Sequence, residues 1–317
     1  MNSSKITFLT TCRWFLCAMI VLSTNQHTRA AELFLSSLRL GFTIDTISGV
    51  DVNDARAAQE LWLRTALQNM NKNNEPVDVQ ITVYSDLSLL INAVKEHELD
   101  AVTLLPLEYL SLQEDVSLIP IITSYSGDSD GEHYVVLTHR ENNIQTIEQL
   151  QSRNIIVGTR GDKKVPQLWL DTMLLEKSLP ETKAFFKSVK YMRKTTQAIL
   201  PVFFKQVDAC LVPKTDFETA IKLNPQLSVG LQIIAESPGF KSTMTCLRSD
   251  FHDQHGSHLT QAMETINQTE QGKQFFTLFR VSRILRFEEV HLDNIKNLLQ
   301  KNQTLSQKSA HRQIEGQ

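Results

Sequence analysis

Hydrophobic and polar positions alternate along the chain in two recurring patterns, one of period two and one of helical period. The segments "SLRLGFTID" (37–45), "VDVQITVYS" (77–85) and "LDAVTLLP" (99–106) predict strands. Apolar residues at helical spacing in "DARAAQELWLRTALQNMNK" (54–72) and "DLSLLINAVKEHE" (86–98) predict the helices between them. This β-α-β-α-β order predicts parallel strands joined by helical crossovers, which is typical of an α/β layered domain.

The same alternation begins again after the acidic stretch "SYSGDSDGEH" (124–133). A second α/β unit of about one hundred residues follows, with strands predicted at 134–140, 154–159 and 207–213 and helices at 146–152, 165–179 and 196–206. Further strands are predicted at 228–237 and 242–250, and closing helices at 259–279 and 291–302. The polar residues from about 304 to 317 are expected to fray.

The N-terminus has the features of an export signal. Lys5 and Arg13 precede the apolar run "WFLCAMIVLS", and small residues stand before Ala31, so residues 1–30 are expected to be a cleaved signal peptide. Retention of this segment as a membrane anchor is the alternative, although its apolar run is shorter than the roughly 20 residues of a spanning helix. The sequence therefore predicts a soluble periplasmic protein.

Removal of that signal leaves 29 basic and 35 acidic residues, a net charge of −6, which gives no indication of nucleic-acid binding. Cys210 and Cys246 are the cysteines that remain. An oxidising compartment permits a bridge between them, and two buried thiols in separate strands are the alternative.

The order of these elements resembles the periplasmic solute-binding proteins of phosphonate ABC transporters, which have the two-lobed type II fold. The resemblance lies in "LRLGFT" (38–43), "LLINAVKEHELDAVTLLPLEYL" (89–110), "YVVLTHRENNIQTIEQLQSRNIIVGT" (134–159) and "AILPVFFKQVDACLVPKTDFE" (198–218). It implies two lobes, each a mostly parallel sheet flanked by helices, joined by two crossing strands. The first lobe would comprise residues 31–138 plus 241–317 and the second 139–240.

The same resemblance implies a small anionic ligand, held between the lobes by a protein that is monomeric and not an enzyme. Its partner would be the membrane permease of an ABC transporter. A clamp that presents its closed form to a membrane sensor, such as a histidine kinase or cyclase, is the alternative. An enzyme is the weaker rival, because the chain has no G-x-S-x-G, H-E-x-x-H or Walker motif. We expect no metal and no cofactor.

The main candidate site is the turn in "IIVGTRGDKKVPQLW" (155–169), between a predicted strand and helix. In the family the matching turn carries a Ser-Thr-Ser run that wraps the oxyanion of the ligand. This chain offers Thr159, Arg160, Gly161, Asp162, Lys163 and Lys164 instead. Basic side chains and a helix N-terminus favour an anion there. A solvated basic loop with Asp162 as helix cap is the alternative.

Other candidates stand at predicted strand ends, where ligands of α/β folds bind. By resemblance, Tyr109 matches a ligand contact, and the family's histidine and its acidic neighbour fall at Thr195 and Thr196. Capping is the alternative for Thr43 and Asp45, a buried structural role is the alternative for Tyr109, and simple solvent exposure is the alternative for Lys214. The strand-end candidates and the lysine are Thr43, Asp45, Thr103 and Lys214.

Overall fold

The computed structural model describes residues 35–47, 49–71, 75–127, 130–159 and 162–315. The predicted signal peptide therefore lies outside the described residues. The strands are β1 (Ser37–Thr43), β2 (Asp78–Tyr84), β3 (Ala101–Leu104), β4 (Leu118–Tyr125), β5 (Tyr134–His139), β6 (Asn154–Gly158), β7 (Ser188–Met192), β8 (Ala209–Pro213), β9 (Leu231–Glu236), β10 (Thr243–Arg248) and β11 (Arg283–Arg286). The α-helices are α1 (Val52–Met70), α2 (Leu87–Lys95), α3 (Pro106–Leu112), α4 (Lys164–Glu176), α5 (Thr182–Phe185), α6 (Thr196–Phe203), α7 (Lys214–Leu223), α8 (Gln226–Gly230), α9 (Ser249–Thr265), α10 (Glu270–Phe279) and α11 (Asp293–Glu315).

The strands form two mixed sheets, and each sheet with its helices is called a lobe below. The first lobe has the strand order β11-β4-β10-β3-β1-β2, and the second has β7-β6-β8-β5-β9. Parallel pairing is limited to β2-β1-β3 and β7-β6-β8, whereas the other strands pair antiparallel. Two α/β sheets with flanking helices are confirmed. They contain more antiparallel pairs than expected, because β10 returns from the second lobe and enters the first sheet antiparallel to its neighbours.

In the described part of the chain, residues 126–127 with 130–133 and residues 237–242 pass between the sheets, and they are called the crossing segments below. They pair with each other at one point: Glu132 N–H donates to the Phe240 carbonyl at 2.9 Å, and Phe240 N–H donates to Glu132 at 3.0 Å. The sequence placed the lobe boundary at residue 138, but β5 (Tyr134–His139) lies in the second sheet. That boundary was wrong by several residues, since "YVVLTH" is a fully paired inner strand of the second sheet.

One face of the first sheet packs against α1, α9 and α10. Leu40 and Phe42 of β1 and Ile122 of β4 point into this layer, where they share a buried cluster with Trp62 and Met263. Alternation along β1 puts every second side chain on this face, and the apolar stripe of α1, which repeats at helical spacing, packs against it.

The C-terminal helix α11 packs on α4 of the second lobe. Asn302 Nδ2 donates to Thr172 Oγ1 at 3.0 Å, and Lys301 forms an ion pair with Glu176. The chain is helical to Glu315, in contrast to the frayed tail expected from about residue 304. Helix α4 supplies stabilising contacts that the polar composition of this segment does not reveal. These contacts hold the C-terminal helix on the second lobe, although the sequence predicted that residues 241–317 belong to the first.

The two cysteines are free and buried, Cys210 in β8 and Cys246 in β10. They lie in different sheets, so the alternative of two separate thiols holds, and burial raises the pKa of both. Within the described ranges, no helix combines the length and apolar character that a bilayer crossing requires.

Candidate functional site

A cavity of about 150 Å³ lies between the lobes and extends into the first one. It is bounded by both crossing segments, by the first sheet with α1 and α10, and by the start of α4. Among the described residues that line it, the charged side chains are Glu132, Asp162 and Lys241. Most of the remaining wall is apolar or hydroxylic, which is typical of a small-molecule site with a few orienting polar groups.

The turn before α4 has its own carboxylate at the helix N-terminus. Asp162 Oδ1 accepts the backbone N–H of Lys164 at 2.8 Å and that of Val165 at 3.4 Å. These are the donors that an external anion would use, so the capping interpretation of Asp162 is confirmed by its contacts. Lys163 and Lys164 are exposed, and Arg160 and Gly161 lie outside the described residues.

Two other helix starts near the cavity are occupied in the same way. Glu108 Oε2 accepts the backbone N–H of Leu105 at 2.9 Å, at the start of α3. Glu132 accepts the hydroxyl of Thr215 at 2.8 and 3.0 Å and its backbone N–H at 3.4 Å, at the start of α7. Carboxylates of the chain itself therefore stand where helix dipoles favour an anion.

These carboxylates act on one another across the lobes. Burial is the main cause that raises the pKa of Glu108, and the nearby charges of Asp162 and Asp45 add to it, whereas Lys164 opposes it. Burial also raises the pKa of Asp162, with Asp45 contributing, against its hydrogen bonds to Lys164 and Val165. The carboxyl groups of Asp162 and Glu108 therefore lie close enough to the start of α4 to influence each other, with Lys164 acting against that effect.

Replacing Glu108 with glutamine is expected to stabilise the protein by about 1 kcal/mol at pH 7, because Glu108 is 3% exposed and glutamine retains the acceptor without the buried charge. The raised pKa means that the folded state holds this proton at pH values where the unfolded chain has released it. Wild-type stability therefore falls as pH rises above the ordinary glutamate pKa, about 4.3.

Urea denaturation from pH 4 to 8 measures this effect as the difference in unfolding free energy between variant and wild type. The difference should widen with pH. Glu114→Gln, at an exposed position after α3, is the matched control and should leave stability unchanged. A Glu108→Gln protein that is less stable than wild type at pH 7 would contradict the assignment.

Hydroxyl groups and one ammonium line the cavity where the crossing segments meet the first sheet. Ser124 Oγ lies 2.7 Å from Thr243 Oγ1, and Ser126 Oγ lies 3.3 Å from Ser242 Oγ. The Lys241 ammonium is 4.7 Å from the centre of the Tyr125 ring. Burial lowers the pKa of Lys241, and Asp130 opposes that shift. We call Ser124, Ser126, Lys241, Ser242 and Thr243 the hydroxyl cradle.

Sequence reasoning missed the hydroxyl cradle. Its available signal was the pair of hydroxyl-rich stretches "TSYS" (123–126) and "KSTMT" (241–245), which lie more than one hundred residues apart. Antiparallel pairing of β4 with β10 brings them together, with Thr243 opposite Ser124.

The remaining predicted site residues are dispersed. Thr103 lines the cavity, with its hydroxyl 3.2 Å from that of Thr245. Thr43 is the last residue of β1 and Thr159 directly follows β6, and both residues are 2% exposed. Their hydroxyls have no hydrogen-bond partner within the part of the chain that the structure describes, but neither residue lines the cavity.

Other predicted site residues lie in the core or at the surface. Tyr109 packs in the core beside α2 and β3, which agrees with its structural alternative. Asp45 is exposed in the turn after β1, and Lys214 forms an ion pair with Glu236 at 2.8 Å. At the start of α6, Thr195 is buried and Thr196 is exposed. None of these five residues lines the cavity.

An ion pair joins the lobes beside the cavity. Arg280, which follows α10 in the first lobe, places Nη1 3.1 Å from Oδ1 of the buried Asp216 in α7 of the second. Ser126 Oγ donates to the Arg280 carbonyl at 2.7 Å. The contact links the cavity wall to the relative position of the lobes.

The described residues contain no group of three or more His, Cys, Asp or Glu side chains suited to a metal ion.

Comparison with known proteins gives a consistent result. A family model described as "ABC transporter, phosphonate, periplasmic substrate-binding protein" matches residues 53–294. No curated protein matches the chain. The fold is similar to that of Prochlorococcus marinus PhnD1 in complex with methylphosphonate, at 16% identity and a TM-score of 0.58, over 84% of this chain and 98% of that one.

Two further solved structures share the fold. A binding component of a phosphonate ABC transporter from Pseudomonas aeruginosa is 14% identical with a TM-score of 0.61, over 87% of this chain and 89% of that one. A Xanthomonas citri protein bound to ATP is 11% identical with a TM-score of 0.63, over 86% and 98%. At these identities the likeness shows the two-lobed type II fold alone.

Proposed function

Because the chain belongs to the periplasmic substrate-binding proteins of phosphonate ABC transporters, we propose that it captures a small organic oxyanion and delivers it to a membrane permease. Residues 1–30 direct its export in this proposal, and the protein works as a monomer without a cofactor. The observation that carries the proposal is a cavity whose wall comes from both lobes and both crossing segments.

Such a cavity couples binding to closure. A solute that contacts both lobes binds their closed arrangement more tightly than the open one, and it shifts the population toward closure by that difference. The ion pair between Arg280 and Asp216 adds a lobe-to-lobe contact of the same kind. A permease then recognises the closed arrangement.

The oxyanion lies in the hydroxyl cradle in this proposal, and not on the turn before α4. Lys241 supplies the positive charge, and the hydroxyl of Ser242 donates a hydrogen bond, whereas the Ser126 hydroxyl proton is already donated to the Arg280 carbonyl. Asp162 already accepts the N–H donors of the turn that the resemblance assigns to the anion, and Glu108 and Glu132 accept N–H donors at two other helix starts near the cavity. The chain therefore supports an oxyanion of low charge, held at the crossing segments.

Replacing Lys241 with methionine is expected to weaken oxyanion binding at least tenfold, because a charge-assisted hydrogen bond contributes about 1.5–3 kcal/mol. Thermal-shift screening of the full chain with methylphosphonate, phosphate, phosphite, alkylsulfonates and carboxylates identifies the head group. Calorimetry then gives affinities for the two proteins. Lys308→Met, at an exposed position of α11, is the control and should bind as wild type does.

The double variant Lys163→Ala with Lys164→Ala decides between the two positions for the oxyanion. The proposal expects its affinity to stay within about threefold of wild type, because both side chains are exposed. A loss of binding in this variant, with Lys241→Met unaffected, would place the anion on the turn before α4 and overturn the assignment to the hydroxyl cradle.

A further inference from the structure

Beyond the hydroxyl cradle, the cavity continues into the first lobe, between the sheet and the helix layer. Its apolar walls there are Trp62 and Leu63 of α1 and Phe275 and Phe279 of α10, and its floor is Thr103 and Thr245 of the sheet. We call this part the inner chamber. The Trp62 and Phe275 rings have centroids 5.1 Å apart, and those of Phe275 and Phe279 are 4.4 Å apart.

The sheet register shows that the floor of the inner chamber faces these helices. Thr103 pairs with Phe42 on one side and with Thr245 on the other, and Thr245 pairs with Ile122. Phe42 and Ile122 belong to the buried cluster that contains Trp62. Side chains of paired residues share a face, so the two threonines point toward α1 and α10.

A buried polar group of the inner chamber lacks a partner. Trp62 is 92% buried, and its indole N–H makes no hydrogen bond to any described residue. Gln59, three residues earlier on the same helix face, also lines the cavity, and its Oε1 has no partner within the described ranges. A buried donor left unpaired is costly, and native proteins rarely tolerate one without a ligand or a functional reason.

The inner chamber and the hydroxyl cradle are continuous. Thr243 and Thr245 lie two residues apart on one face of β10, so hydroxyls run from Ser124 and Thr243 in the cradle to Thr245 and Thr103 in the chamber. One molecule can therefore occupy both. The hydroxyl cradle and the inner chamber together make up the cavity of about 150 Å³, a volume at which an apolar cavity binds benzene and which is more than an inorganic oxyanion needs.

We propose that the inner chamber receives the organic chain of the solute, so that the protein selects oxyanions with an apolar substituent of several carbons over inorganic or one-carbon oxyanions. This inference rests on the proposed function in one respect only, which is the position of the oxyanion group in the hydroxyl cradle. The aromatic rings of α10 then contact the carbons of that substituent, and the Trp62 indole N–H donates to an acceptor where the substituent carries one.

A series of n-alkylphosphonates from methyl to pentyl tests chain selection. In the full-length protein, calorimetry should show affinity rising about fourfold for each added methylene, at least as far as butyl, because each buried methylene contributes about 0.8 kcal/mol. Leu63→Phe and Thr245→Leu fill the inner chamber from opposite walls and should flatten this dependence while methylphosphonate binding remains. Equal affinities for methyl and butyl in wild type would overturn the proposal and leave the proposed function standing.

A probe without an oxyanion separates the two proposals. 1-Hexanol should produce a saturable change in the emission of Trp62, taken as the difference between wild type and Trp62→Phe, and Leu63→Phe should reduce that change at least fivefold. No saturable change would overturn the inner chamber as a binding site, whatever the phosphonates do. If hexanol binds and no oxyanion binds at any chain length, the proposed function fails and the inner chamber stands.

Discussion

Replacing Gly131 with alanine is expected to lower the free energy of unfolding by about 3 kcal/mol and to loosen the junction between the lobes. Gly131 has φ +130°, and a Cβ there would lie 2.3 Å from the Phe240 carbonyl oxygen. That oxygen accepts the N–H of Glu132. The crossing segments must therefore separate to admit the methyl group, and with them Glu132, Phe240 and Lys241 of the cavity wall.

Urea denaturation followed by circular dichroism measures the loss, and hydrogen exchange locates it. Peptides that cover the crossing segments should exchange faster in Gly131→Ala, since the paired N–H groups of Glu132 and Phe240 are exposed. Gly49→Ala is the matched control: Gly49 also has positive φ, +82°, but a Cβ there meets nothing within 4 Å. Its cost should be about 1 kcal/mol. Equal losses in both variants would contradict the steric argument.

Replacing Asp100 with alanine is expected to lower the free energy of unfolding by about 3 kcal/mol. The Asp100 carboxylate is 5% exposed, and its removal leaves the cationic side chains of Arg39 and Arg248 without this partner. Asp100 accepts the Arg39 backbone N–H at 3.0 Å, its Nε at 3.0 Å and its Nη2 at 2.6 Å. Arg248 Nη1 lies 3.7 Å away and donates to the Leu99 carbonyl at 2.5 Å. This network joins the starts of β1 and β3 to the end of β10.

The midpoint of urea denaturation at pH 7 checks this second result. Asp253→Ala is the control, because that side chain is 79% exposed on α9 and its removal should change stability by less than about 0.5 kcal/mol. A loss below 1 kcal/mol in Asp100→Ala would show that Arg39, whose side chain is 37% exposed, regains most of its hydration and that the network contributes little to stability.

The carboxylates at the helix starts explain how a family member can lack the Ser-Thr-Ser turn and keep the fold. A helix N-terminus has unpaired N–H donors that need an acceptor whether or not a ligand is present. Asp162, Glu108 and Glu132 supply that acceptor from within the chain. In our proposal the oxyanion is therefore bound at the crossing segments and not at the helix starts.

Periodicity predicted most of the inner strands and the long amphipathic helices, but it missed β4, an inner strand of the first sheet that contains Pro120, and it failed where an element is held by distant partners. The strand β11 and the helical end of α11 were missed, because short or polar segments carry little periodic signal and are stabilised by β4 and α4. In α9, the histidine-rich stretch "FHDQHGSH" (251–258) is helical although Gly256 disfavours a helix there. Gly256 is buried beside His252, where a Cβ would not fit without movement.

The sequence by itself determined the α/β alternation, the two blocks of elements and the family, since these depend on hydrophobic periodicity and on the order of segments along the chain. Only the tertiary structure decided which side chains line the cavity. Thr103 was found because it lies within a recognisable strand, whereas Lys241 and Ser126 became neighbours through the crossing of two remote segments. The physical reason is that periodicity reports that a residue is buried, while the identity of its neighbours depends on which strands pair.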